Sequence, residues 1–296
     1  MIGHKMKTPL LATVAACAMV MGIGIQSASA AGIEDSWNLN LTVANGVMHS
    51  GGGSFSGMTD LNFIDNAVLN GESIVTQTIS GGVAVGNPFV DNGFLRIIGT
   101  NREAGAPLPA FFPTIFALGG AMGPSDLYFT FSGLTGTLNL NETITFDPNI
   151  GTIKLWLDSD TDADPTTGDV LELAEFDIVA PSGGSDLNFF GGGGQNATID
   201  VTLMQISGLA GLFTDMNGVE LMPGDIDVLH LGNFNALETG RTTVVDMFGN
   251  GFSDLEVDNA GQYNIRTIPE ASSMAAFGFG LVGLMGMVSR RRRKAA

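Results

Sequence analysis

A period of two in the apolar residues, interrupted at short intervals by Gly, Asn, Asp, Ser and Pro, constrains this chain more than any other feature. Trp37, Leu39, Leu41 and Val43 alternate with Asn38, Asn40 and Thr42, which gives an extended segment one apolar and one polar face. The same alternation returns in Leu138, Leu140, Ile144 and Phe146 against Asn139, Asn141, Thr143 and Thr145. Runs at 73–79, 94–98, 127–131, 152–157, 197–206, 226–231, 242–247 and 262–266 also read as strands. Between 170 and 179 the apolar phase slips from Leu171 and Leu173 to Phe176 and Ile178, which predicts a β-bulge at Ala174 and Glu175. Turn-forming clusters occupy 50–53, 101–109, 181–186 and 191–195. No long amphipathic helical period appears between the terminal segments; 109–122, apolar on nearly all sides, reads as a buried strand or a short helix starting at Pro113. The expectation is an all-β body over 31–267, an antiparallel β-sandwich or jelly roll. Phe55-Ser56-Gly57-Met58-Thr59 is echoed by Phe131-Ser132-Gly133-Leu134-Thr135, which reads as recurring strand-turn chemistry and not as a repeat architecture.

Charge and cysteine usage narrow the chemistry. Of the 12 Lys and Arg, two lie within 1–30 and five at 290–294, so the body keeps only Arg96, Arg102, Lys154, Arg241 and Arg266. Against these stand 29 of the 30 Asp and Glu, a formal charge of −24 for the body. Such a body repels nucleic acid and anionic lipid and attracts divalent cations and cationic partners. Cys17 is the single cysteine and lies in the N-terminal apolar run, which excludes a disulfide framework, thiolate catalysis and a cysteine zinc site in the body.

Both termini have the composition of targeting segments. Lys5 and Lys7 precede an apolar run from Leu10 to Ile25, and Ala28-Ser29-Ala30 supplies small residues for signal peptidase, with cleavage expected between Ala30 and Ala31. A lipoprotein reading would instead make Cys17 the lipidated first residue. At the other end, Pro269, Glu270 and Ala271 precede an uncharged run from Met274 to Val288 and then Arg290, Arg291, Arg292, Arg293 and Lys294. Counted from about Ala271, the uncharged stretch is just long enough to enter the hydrocarbon of a bilayer, and the five cations would hold its end in the cytoplasm as a stop-transfer cluster.

The three-part tail resembles the PEP-CTERM sorting signal of Gram-negative bacteria that secrete exopolysaccharide. In that family a Pro-Glu-Pro motif, a Gly-rich membrane helix and a basic cluster are recognised by an exosortase, a membrane-embedded cysteine transpeptidase that cleaves near the motif. Pro269 and Glu270 match, whereas Ala271 stands where the second proline is usual, so the cleavage position is not defined by the match. The competing reading is a plain C-terminal anchor. The resemblance implies Sec export, transient anchoring in the inner membrane, and delivery to the cell surface or extracellular matrix, with the body flanked by an N-terminal signal helix (1–30) and a C-terminal transmembrane sorting helix (268–296).

The sharpest chemical motif of the body is an acidic run after 152–157. Asp158, Asp160, Asp162 and Asp164 alternate with Ser159, Thr161 and Ala163, and Asp169 closes the segment. These fall at positions one, three, five, seven and twelve of an EF-hand-like calcium loop. Ala163 replaces the glycine needed for the sharp bend, Asp169 replaces the longer bidentate Glu, and no helix flanks the loop, so a calcium-bound hairpin loop is the form expected. The alternative is a solvated acidic turn, whose like-charge pairs cost only about 1 kcal/mol each at about 4 Å in water.

Catalytic signals are sparse. His49 and His230 are the body's two histidines, and neither sits in a nucleophile motif; Lys154 is its one lysine, and no phosphate-binding loop is present. Paired carboxylates for a glycosidase abound, but Trp37, Trp156, Tyr128 and Tyr263 are the only Trp and Tyr available as sugar platforms. The strand 153–157, the acidic loop and the return strand 170–174 resemble flocculation-associated PEP-CTERM proteins, which implies a non-enzymatic matrix protein associated with exopolysaccharide, biofilm or floc formation. A secreted carbohydrate-active enzyme is the alternative.

Overall fold

The computed structural model describes residues 36–101, 126–141, 143–158, 170–186, 196–225 and 228–267, all within the unit Asp35–Glu270. Period-two patterning makes strands throughout, in this order: β1 (Trp37–Leu39), β2 (Leu61–Ile64), β3 (Asn66–Ile79), β4 (Pro88–Asn101), β5 (Asp126–Leu138), β6 (Thr143–Phe146), β7 (Thr152–Asp158), β8 (Val170–Asp186), β9 (Asn196–Gly208), β10 (Phe213–Asp215), β11 (Val228–Val245) and β12 (Gly251–Thr267). The all-β, antiparallel expectation is met. Its finer form differs, because the strands close on themselves instead of facing each other as two sheets.

Eight strands, β3-β4-β5-β7-β8-β9-β11-β12, form an up-and-down antiparallel barrel, and β6 bridges β5 and β8 at one end. Closure is made by β12 against β3, from Gly251↔Ile79 to Tyr263↔Ala67. Each of these strands has one apolar face, and a closed sheet buries all those faces inside while leaving few free edges. Leu69, Phe129, Leu155, Phe176, Leu203 and Leu255, one from each of six strands, are all buried in the shared core. The outer face carries Glu72, Thr76, Asp254, Glu256, Asp258 and Gln262 on β3 and β12, with exposed Ile74 and Phe252 among them.

A separate three-stranded sheet, β10-β1-β2, closes one end of the core. Its Trp37 and Phe213 pack edge-on, 6.0 Å between ring centroids, and Trp37 meets Tyr263 of β12 at 5.7 Å and 89°. Phe213 reaches His230 of β11 at 5.3 Å. Burying Trp37 removes a large apolar side chain from water, so this plug fixes the barrel's end by packing.

Several local expectations are corrected. The alternation from Trp37 ends at Leu39, and Leu41–Ala44 forms a 3₁₀ turn. Side chains at i and i+3 of such a turn share a face, which is why Leu41 and Ala44 are both buried while Val43 is only half-buried. The run from Leu138 to Phe146 is a hairpin, not one strand: Asn139 donates its side-chain amide to the Thr143 and Thr145 hydroxyls, and Leu140 at the tip is exposed. The runs 226–231 and 242–247 belong largely to the single strand β11, interrupted by a register shift between Glu238 and Gly240.

The cluster 181–186 is part of β8, not a turn. The ladder jumps from Val179↔Thr202 to Gly183↔Asp200, and the Ser182 hydroxyl fills the gap by accepting from the Thr202 N–H and donating to the Val179 carbonyl. The predicted slip in β8 is present one residue earlier on the β7 side, where Leu155 pairs with Ala174 and Trp156 with Glu172, leaving Leu173 as the extra residue. Leu173 and Ala174 are consequently buried in succession. The echo also has a structural basis: Gly57 (φ 74°) and Gly133 (φ 65°) both adopt the left-handed conformation, between buried Phe55 and Met58 and between buried Phe131 and Leu134. The stretches 102–122 and 191–195, and the terminal segments 1–30 and 268–296 expected to be helical, lie outside the described residues.

Candidate functional site

Of the predicted calcium ligands, Asp158 ends β7 and is fully buried, in register with Asp126 of β5 and Val170 of β8. Asp160, Asp162, Asp164 and Asp169 lie outside the described residues, as do Ala30, Ala31, Pro269, Glu270, Ala271, Arg290, Arg291, Arg292, Arg293 and Lys294. Among the described residues no group of three or more His, Cys, Asp or Glu side chains is arranged to hold a metal ion. Among them, too, no helix is long and apolar enough to cross a membrane.

The described residues do assemble one polar site, inside the barrel. The inward phase of β4 runs Phe89, Asp91, Gly93, Leu95, Ile97, and so places a carboxyl group among apolar neighbours. Asp91 pairs in register with Val75 of β3 and Leu134 of β5. Ser73 of β3 and Asn259 of β12 reach the same level by the same alternation, and both are buried. Asn259 Nδ2 donates to Ser73 Oγ at 3.0 Å, and the Ser73 hydroxyl in turn bonds the Asp91 carboxyl, which also receives the Asn92 backbone N–H. Asp91 Oδ1 is buried with no hydrogen-bond partner among the described residues.

Two cavities of about 60 and 30 Å³ lie beside this cluster, and Asp91, Asn259, Phe146 and Ile199 line both. The larger is walled by Phe129, Phe131, Phe234 and Tyr263 among aliphatic side chains, with no Lys, Arg or His in its lining. Burial outweighs the bonds from Ser73 and Asn92 and pushes the Asp91 pKa up from 3.8 to about 7. Near neutral pH this carboxyl can therefore donate a hydrogen bond when protonated or serve as a counter-ion when ionised.

No family model, curated protein or solved structure matches the chain. The site is therefore read from its own geometry. His230, another titratable group of the interior, is 1 % exposed between Phe176 (4.9 Å) and Phe213 (5.3 Å), and its Nδ1 is hydrogen-bonded to the Tyr263 hydroxyl. Burial lowers its pKa to about 3 and raises that of Tyr263, so the pair is neutral and joins the plug to the barrel wall.

Sequence reading missed Asp91, Ser73 and Asn259. The signal was present: extending the period of two back from Leu95 puts Asp91 in the apolar phase, and the alternations Leu69-Gly71-Ser73-Val75 and Leu255-Val257-Asn259 do the same for its partners. A polar residue in phase with a buried face marks an internal polar site.

Proposed function

We propose that the protein is a non-enzymatic component of the cell surface or extracellular matrix, exported through a signal peptide over 1–30 and sorted by an exosortase acting on the tail at 268–296. The inner membrane holds it before processing, and exopolysaccharide in a biofilm or floc is its partner afterwards, with calcium bridging through the loop begun by Asp158. The observation that carries the reading is the tail itself: Pro269 and Glu270, the uncharged run to Val288, and the cations at 290–294. The closed barrel supports it, since its outer face presents carboxylates such as Glu72, Glu256 and Asp258, which keep it soluble and attract cations. Nucleic acid is excluded as a partner on the same charge argument.

The test is incubation of the body, Ala31–Pro269, with the host's own exopolysaccharide, with and without millimolar calcium. Stable, calcium-strengthened association without cleavage is expected. Release of oligosaccharides would instead establish the carbohydrate-active enzyme. In the cell, removing 269–296 is expected to stop delivery to the surface; unchanged delivery would overturn the sorting step.

A further inference from the structure

Apolar barrel interiors do not ordinarily carry a carboxyl group, and one that does must satisfy it or neutralise it. Asp91 is 8 % exposed, its Oδ1 lacks a hydrogen-bond partner among the described residues, and it lines both internal cavities. The chain Asn259→Ser73→Asp91 occupies one side of the carboxyl and leaves Oδ1 for a guest. We propose that the barrel interior binds a small organic ammonium compound, with its N–H donors on Asp91 Oδ1 and its alkyl part against the faces of Phe129, Phe131, Phe234 and Tyr263.

Two observations select a cation over other guests. No Lys, Arg or His lines the cavity, so an anionic head would meet the Asp91 carboxyl with no cation to offset the repulsion. The body's charge of −24 raises the local concentration of cations and lowers that of anions. Volume sets the size: a cavity of about 60 Å³ takes a guest of roughly four non-hydrogen atoms, since one water-sized sphere needs about 10–15 Å³ on this scale. A ligand that small binds no tighter than roughly 40 μM. This inference is independent of the tail and of the matrix role.

Propylammonium, 1-propanol and propanoate share a three-carbon skeleton and differ in the head, and each can be titrated into the exported protein by calorimetry with a parallel NMR titration. Saturable one-to-one binding of propylammonium is expected, at least about tenfold tighter than 1-propanol and with no binding of propanoate. Asp91→Asn, which keeps the side-chain shape, is expected to abolish the preference for the ammonium. Equal affinity for propylammonium and 1-propanol in the unaltered protein would reduce the cavity to an apolar void, and no saturable binding of any of the three would show that water alone fills it. Either result overturns the proposal without recourse to the variant.

Discussion

Replacing Asp91 with Asn should remove a pH-dependent penalty from the folded state. The carboxyl has a pKa of about 7 in the folded protein against 3.8 unperturbed, with burial as the largest cause. An acid whose folded pKa is raised binds its proton more tightly when folded, so its full contribution to stability is present below pH 3.8 and is lost as pH rises to about 7. Three pKa units at 1.36 kcal/mol each amount to about 4 kcal/mol, a large share of the stability of an ordinary domain. Urea denaturation of both proteins at pH 4 and pH 8.5 measures it. The stability difference should move by about 4 kcal/mol in favour of the Asn variant between the two conditions. Comparing variants cancels the repulsion among the other carboxylates, which titrate over the same range. A difference that stays constant with pH within about 0.5 kcal/mol would refute the burial argument, and with it the view of Asp91 as a charge held in an apolar interior.

Other consequences follow from the packing and the turns. Trp37→Ala leaves a void between the plug and Tyr263 and should cost about 3–5 kcal/mol in chemical denaturation. Asp215 is partly buried, which raises its pKa, but its carboxylate accepts the backbone N–H groups of Val219 and Asn217, and these with the Asn217 amide hold it below the usual range. Its contribution is therefore present above the unperturbed pKa and lost as pH falls, so Asp215→Ala should lower the melting temperature at pH 7 and have little effect near pH 2. Calcium titrated into the body should raise its melting temperature if the acidic loop is a site, and Asp160→Ala should abolish that rise; no shift at millimolar calcium would reduce the loop to a solvated turn.

Local patterning made the strands legible and left their closure illegible. The alternation in β3, β7 and β9 marks one apolar face each, but pairing β3 with β12 joins residues nearly two hundred positions apart, and nothing within either strand names its partner. The hairpin at Leu140 was hidden because its turn residues happen to continue the alternation, while β11 was split by the polar outward stretch around its bulge at Glu238. Ser182 supplies hydrogen bonds that a turn reading of its neighbourhood could not anticipate. Asp91 was overlooked for a different reason: an acidic residue in so acidic a chain carries little information until its phase is counted. By contrast the expected leader and sorting tail rest on short motifs, Ala28-Ser29-Ala30 and Pro269-Glu270, and on composition, which point to delivery without specifying chemistry.

The proposed delivery route is decided by the intact mass of the protein recovered from the cell surface or medium. A chain that starts at Ala31 and ends near Pro269, without the cations at 290–294, is expected. Recovery of a surface protein that still carries residues 290–294 would contradict it.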